Sequence, residues 1–111
     1  MSNAVETDII ALVEKELKAA NEKYPLFASP HEAYAVILEE IEECQSAMAI
    51  MTMFFSKYWH EIKENESRVA LATEIGSVQL NAIQLAIEAI QVAAMCRKFE
   101  MSFPRGEEKA K

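Results

Sequence analysis

The sequence predicts an all-α fold, on three observations. Its 111 residues include only two glycines and three prolines, so little interrupts a helix. Ala, Glu, Leu, Ile and Met are abundant, a composition that suits long helices. Apolar residues also recur at steps of three and four over long stretches. The expected architecture is an antiparallel hairpin of two long helices with a shorter N-terminal helix packed on it. Two copies would build a four-helix-bundle core, as a homodimer or homotetramer.

The first helix is expected from about Val5 to Asn21, with Val5, Ile9, Leu12, Val13, Leu17 and Ala20 on one apolar stripe. Pro25 then forces Tyr24 out of helical geometry, and Tyr24 and Phe27 should pack the connection onto the body. Ser29-Pro30-His31-Glu32 is a helix start: Ser29 caps, Pro30 suits the first turn, and Glu32 completes a capping box. The second helix runs from Pro30 to about Lys63 without a breaker, roughly 50 Å long. Its stretch "AMAIMTMFFSKYWHEI" is apolar on nearly every face up to Lys57, which one short chain cannot cover. "KENES" breaks the pattern, and Asn65 or Ser67 caps a third helix running to about Met101. Gly76 lies inside it, marking a bend or a close contact at a cost of about 1 kcal/mol relative to Ala. Residues 1–103 read as one domain and 104–111 as a flexible tail.

A net charge of −7 weighs against a partner of duplex nucleic acid, which needs a basic footprint. Cys44 and Cys96 fit no zinc spacing and read as reduced core thiols, which with no visible signal peptide gives an expected cytoplasmic location. No membrane association is expected. Residues 44–56 are uncharged but too short to span, and residues 75–96 carry Gln79, Asn81, Gln84, Glu88 and Gln91.

Two features can carry chemistry. The first is "LEEIEEC", with Glu39, Glu40, Glu42 and Glu43 inside five residues. Glu40 and Glu43 share a helix face, Glu39 joins Glu43 one turn along, and Glu42 points elsewhere. Such carboxylates suit Mg²⁺ or Mn²⁺, though a charge run is more often a solvated face. The second is a narrow polar seam on the third helix, made of Glu74, Ser77, Asn81, Gln84, Glu88 and Gln91 at steps of 3, 4, 3, 4 and 3. Apolar residues flank it. Either the seam is a strip shown to water, or Glu88 is buried and must be paired, protonated or metal-bound. In an antiparallel hairpin Glu43 lies about 22 residues before the turn and Glu88 about 23 after it, which places them at one level.

With these residues the chain resembles the MazG-like all-α nucleoside triphosphate pyrophosphohydrolases. Their pattern is Glu-Glu-x-x-Glu on one helix and Glu-x-x-Asp on the next. Glu39-Glu40-x-x-Glu43 matches the first element; "EAIQ", Glu88 to Gln91, occupies the second, with Gln91 in place of Asp. The strings "NEKYPLFASPHEAYAVILEEIEE" and "EAIQVAAMCRKF" are similar to a phage and prophage subgroup. The resemblance implies Mg²⁺- or Mn²⁺-dependent cleavage of a nucleoside triphosphate to the monophosphate and pyrophosphate. It makes Glu40, Glu43 and Glu88 metal ligands, Gln91 a neutral amide at a ligand position, and Glu39 a further ligand or the catalytic group that orients water. The segment between the two elements is longer than the family's. The alternative reading is a non-catalytic helical oligomer, an interaction module of phage or prophage origin.

Smaller signals carry less. His60 and Glu64 stand one turn apart with no second His near, so zinc is disfavoured. Phe54, Phe55, Tyr58, Trp59 and the run Met48, Met51, Met53 have the spacing of core or interface residues. Arg97 and Lys98 could meet a phosphate, or could stabilise a helix C-terminus.

Overall fold

The computed structural model of the chain describes residues 3–106, for Asn3 the backbone alone. Three helices account for most of it: α1 (Asn3–Lys23), α2 (Pro30–Lys63) and α3 (Arg68–Ser102). The all-α expectation holds. Of the expected tail, residues 107–111 lie outside the described residues.

The start of α2 is built by its local sequence. The Glu32 N–H donates to Ser29 Oγ (3.1 Å), while Glu32 Oε1 accepts from the Ala28 N–H (2.8 Å). This is the anticipated box, with its return bond moved one residue upstream. The end of α2 is equally determined. Asn65 takes a left-handed conformation (φ 55°), its N–H bonding Ile62 O and the Glu66 N–H bonding Glu61 O. That is a Schellman ending with Asn in the position glycine usually fills. Ser67 caps α3 by accepting from the Ala70 N–H at 3.1 Å. Of the two expected caps, Ser67 serves α3 and Asn65 closes α2.

The described chain divides into two compact units. The first holds α1, α2 up to Ile41 and α3 from Ala89 onward. Its core joins Val13 and Leu17 of α1 to Ala94 of α3, with Ile90, Ala93 and Met95 packed against them. Arg97 reaches Glu14 of α1 and Glu100 of its own helix, each at 3.0 Å. Phe27 is buried, and its N–H donates to Ser102 Oγ at 2.9 Å, which fastens the α1–α2 connection to α3. Only the C-terminal part of the α1 stripe is covered, because Val5, Ile9 and Leu12 remain exposed.

The second unit, Glu42–Glu88, is the α2–α3 hairpin. Its antiparallel register shows in the pairs Glu43 with Glu88 and Lys57 with Glu74. Its least exposed α2 positions are Cys44, Ala47, Met51, Phe54, Tyr58 and Glu61, at steps of three and four. On α3 the seam residues Glu74, Ser77, Asn81 and Glu88 are buried or half-buried, while Ile75, Leu80, Ile83 and Ile87 are exposed. Most of the seam is therefore not a strip shown to water, although Gln84 is exposed, and of the apolar flanks Val78 and Leu85 are half-buried. The helix runs unbroken through Gly76, where an added Cβ would meet nothing within 4 Å. Cys96 is exposed rather than in the core, and Cys44 is half-buried; neither is in a disulfide. By length and composition alone α3 is apolar enough to cross a membrane, with an 18-residue window of mean hydropathy 1.3.

Candidate carboxylate site

In the second unit, α2 and α3 bring Glu43 and Glu88 into contact. Burial pushes the Glu88 carboxyl above its ordinary value, and the charge of Glu43 and a hydrogen bond with it push the same way. The Gln84 amide, donating from one turn away at 3.4 Å, opposes the rise. Two carboxylates are both acceptors, so a hydrogen bond between them requires a proton on one. A cation between them would do the same electrostatic work.

A second carboxyl pair, missed in the sequence, lies nearer the turn. Glu74 is buried, with Lys57 Nζ at 3.4 Å from its Oε2. Burial, followed by a hydrogen bond and the charge of Glu74, raises Glu61; Glu66 adds to the rise and Lys57 opposes it. Unless one of the two is protonated, Glu61 Oε1 is left buried with no donor. The signal was present in the sequence. Ala47, Met51, Phe54, Tyr58 and Glu61 continue one line at steps of 4, 3, 4 and 3, so Glu61 shares an apolar face.

In the first unit, a cavity of about 550 Å³ is lined by Glu39 and Glu40 of α2, Gln91 and Lys98 of α3, Glu16 of α1 and Tyr24 of the connection. Gln91 Nε2 donates to Glu16 Oε1 across a long 3.5 Å. Glu16 entered no sequence-based site, since only the packing of α1 brings it there. Lys98 is buried and faces this cavity, whereas Arg97 is spent on Glu14 and Glu100. His60 meets Glu64, at 3.8 Å.

Glu43 and Glu88 are thus together, and Glu39, Glu40 and Gln91 line one cavity. Among the described residues, no three His, Cys, Asp or Glu side chains are gathered closely enough to hold a metal ion. The Glu43–Glu88 pair fits a cation by the chemistry of its donors, as two facing carboxyl groups of which Glu88 is raised above its ordinary value. In comparisons with family models, with curated proteins and with solved structures, nothing matches this chain.

Proposed function

We propose that the chain is a Mg²⁺- or Mn²⁺-dependent nucleoside triphosphate pyrophosphohydrolase of the MazG-like kind, working as a homo-oligomer. The observation that carries this reading is the pair Glu43–Glu88, facing each other across the hairpin, whose repulsion a proton or a cation would relieve. Glu43 and Glu88 are the proposed metal-holding pair; Glu40 and Gln91 are the further ligand positions that the resemblance assigns. Glu39 is the group that accepts a hydrogen bond from the attacking water and orients it. When bound, the ion would offset the phosphate charges and lower the pKa of a water. The neutral Gln91 leaves one negative charge fewer than an aspartate would, so weak metal affinity is expected.

A second reading has its own observation. Leu80 is 69% exposed and Phe55, Trp59 and Met53 more than half so. An outer face this apolar suits an interaction module made of several copies, active or not. Pyrophosphate release from a panel of canonical and modified triphosphates, with Mg²⁺ or Mn²⁺, separates the two. Metal-dependent turnover that Glu40→Gln abolishes supports the enzyme. A folded oligomer that releases nothing from the whole panel leaves the interaction module.

A further inference from the structure

Lys98 is only 4% exposed, and it lines the first-unit cavity. Its Nζ lies 4.9 Å from the centroid of the Phe27 ring. Among the described residues it makes no ion pair, and no side-chain hydrogen bond satisfies its head group. The other buried charged residue, Glu74, has Lys57 beside it. A buried ammonium without a carboxylate is costly, and one aromatic face offsets only part of that cost. Such a group persists where a ligand supplies the counter-charge.

The surroundings narrow the ligand. A volume near 550 Å³ suits a small molecule. Four carboxylates, Glu16, Glu32, Glu39 and Glu40, line the same cavity and would repel an extended polyphosphate that brought no cation. One anionic group near Lys98 is tolerable, and hydroxyl or amino groups on the rest of the ligand could donate to those carboxylates. Tyr24, 57% exposed at the same cavity, offers a ring for stacking, and Lys23 Nζ adds a second cation 5.7 Å from its centroid.

We propose that this cavity binds a nucleoside monophosphate without any metal, Lys98 holding the phosphoryl group and Tyr24 stacking the base. That the ligand is a nucleotide rests on the function proposed above; the anion site at Lys98 does not. In that reading the cavity is where the product monophosphate stays after pyrophosphate has left.

The test is calorimetric titration of the full chain, in the presence of a chelator, with nucleoside monophosphates and separately with inorganic phosphate. Lys98→Met and Lys98→Arg are titrated beside it, and all three proteins are melted without ligand. The expected results are binding of a monophosphate to the native chain, a loss of about tenfold or more in Lys98→Met, and retention in Lys98→Arg. Lys98→Met should also melt no lower than the native chain, because it discards a charge that has no partner. Equal binding by Lys98→Met, no binding of either ligand to the native chain, or a lower melting temperature for Lys98→Met would each overturn the proposal. If Lys98→Met fails to fold, that counts as the last of these. Phosphate bound as tightly as the monophosphate removes the base-stacking role and leaves an anion site alone. Monophosphate binding without triphosphate turnover sinks the enzyme and keeps the site; turnover without monophosphate binding does the reverse.

Discussion

Glu88 faces Glu43, and its titration has a definite sign. Its carboxyl is raised in the folded chain, so between the ordinary carboxylate range and the raised value the folded state binds a proton that the unfolded state does not. Stability from this group is complete below the ordinary range and is lost as pH rises through the raised value. With a chelator present, the melting temperature should therefore fall across that window. Glu88→Gln should flatten this part of the profile and melt higher than the native chain at pH 8, while abolishing any pyrophosphate release. Excess Mg²⁺ at pH 8 should raise the melting temperature of the native chain and leave Glu88→Gln unmoved. An unchanged pH profile in Glu88→Gln would remove the pair from consideration. Gly76→Ala is a second residue-scale expectation: with open space around the added methyl, it should gain about 1 kcal/mol in chemical denaturation. The Glu43–Glu88 level was legible in the sequence because counting from a turn fixes height in a hairpin. The burial of Lys98 was not, because it depends on Phe27 being brought over it by a connection tied to Ser102.

At the scale of elements, boundaries followed from short local signals. Ser29-Pro30 set the start of α2, and its bounds match those read from the sequence. The start of α3 was ambiguous because Asn65 and Ser67 both cap helices well. What separates them is the left-handed backbone, which Asn tolerates and Ser67 does not need. Asn65→Val should therefore cost about 1–2 kcal/mol in urea denaturation, and Asn65→Gly should cost little. Equal stability of the Val variant would show that the connection can be rebuilt another way. The polar seam of α3 was visible as a period, but its direction was not. Periodicity says which residues share a face; it does not say which face meets the partner helix. Glu74 and Glu61 settled the direction by lying against each other across the hairpin.

For the whole molecule, the all-α class was legible because composition and breaker scarcity decide it. Whether copies assemble, and how many, was not, since the sequence shows unburied apolar surface without showing its geometry. The described residues include no fully buried large side chain, and the largest buried apolar residues are Leu17 and Phe27. A core this small is marginal for one chain. The chain should therefore sediment as at least a dimer at micromolar concentration, with a melting temperature that rises with protein concentration. Leu80→Glu and Phe55→Glu, placed on the outer face, should shift the chain toward monomer and lower that temperature. A stable monomer whose melting is independent of concentration would exclude self-association as the cover for this face.

The second unit keeps three carboxyl groups, Glu61, Glu74 and Glu88, at least half-buried, and leaves Ile50, Ile62, Ile75, Leu80, Ile83 and Ile87 exposed. A lone hairpin of this kind gains little by closing, since closing brings like charges together and leaves the oily surface wet. If a second copy covers that surface, folding and assembly become one event. In dilute solution the yield of native protein should grow with roughly the square of chain concentration, as mass action requires of an obligate pair. Gene dosage would thus act as a threshold: scarce chains would meet proteases before they met each other, and only abundant expression would accumulate the folded form.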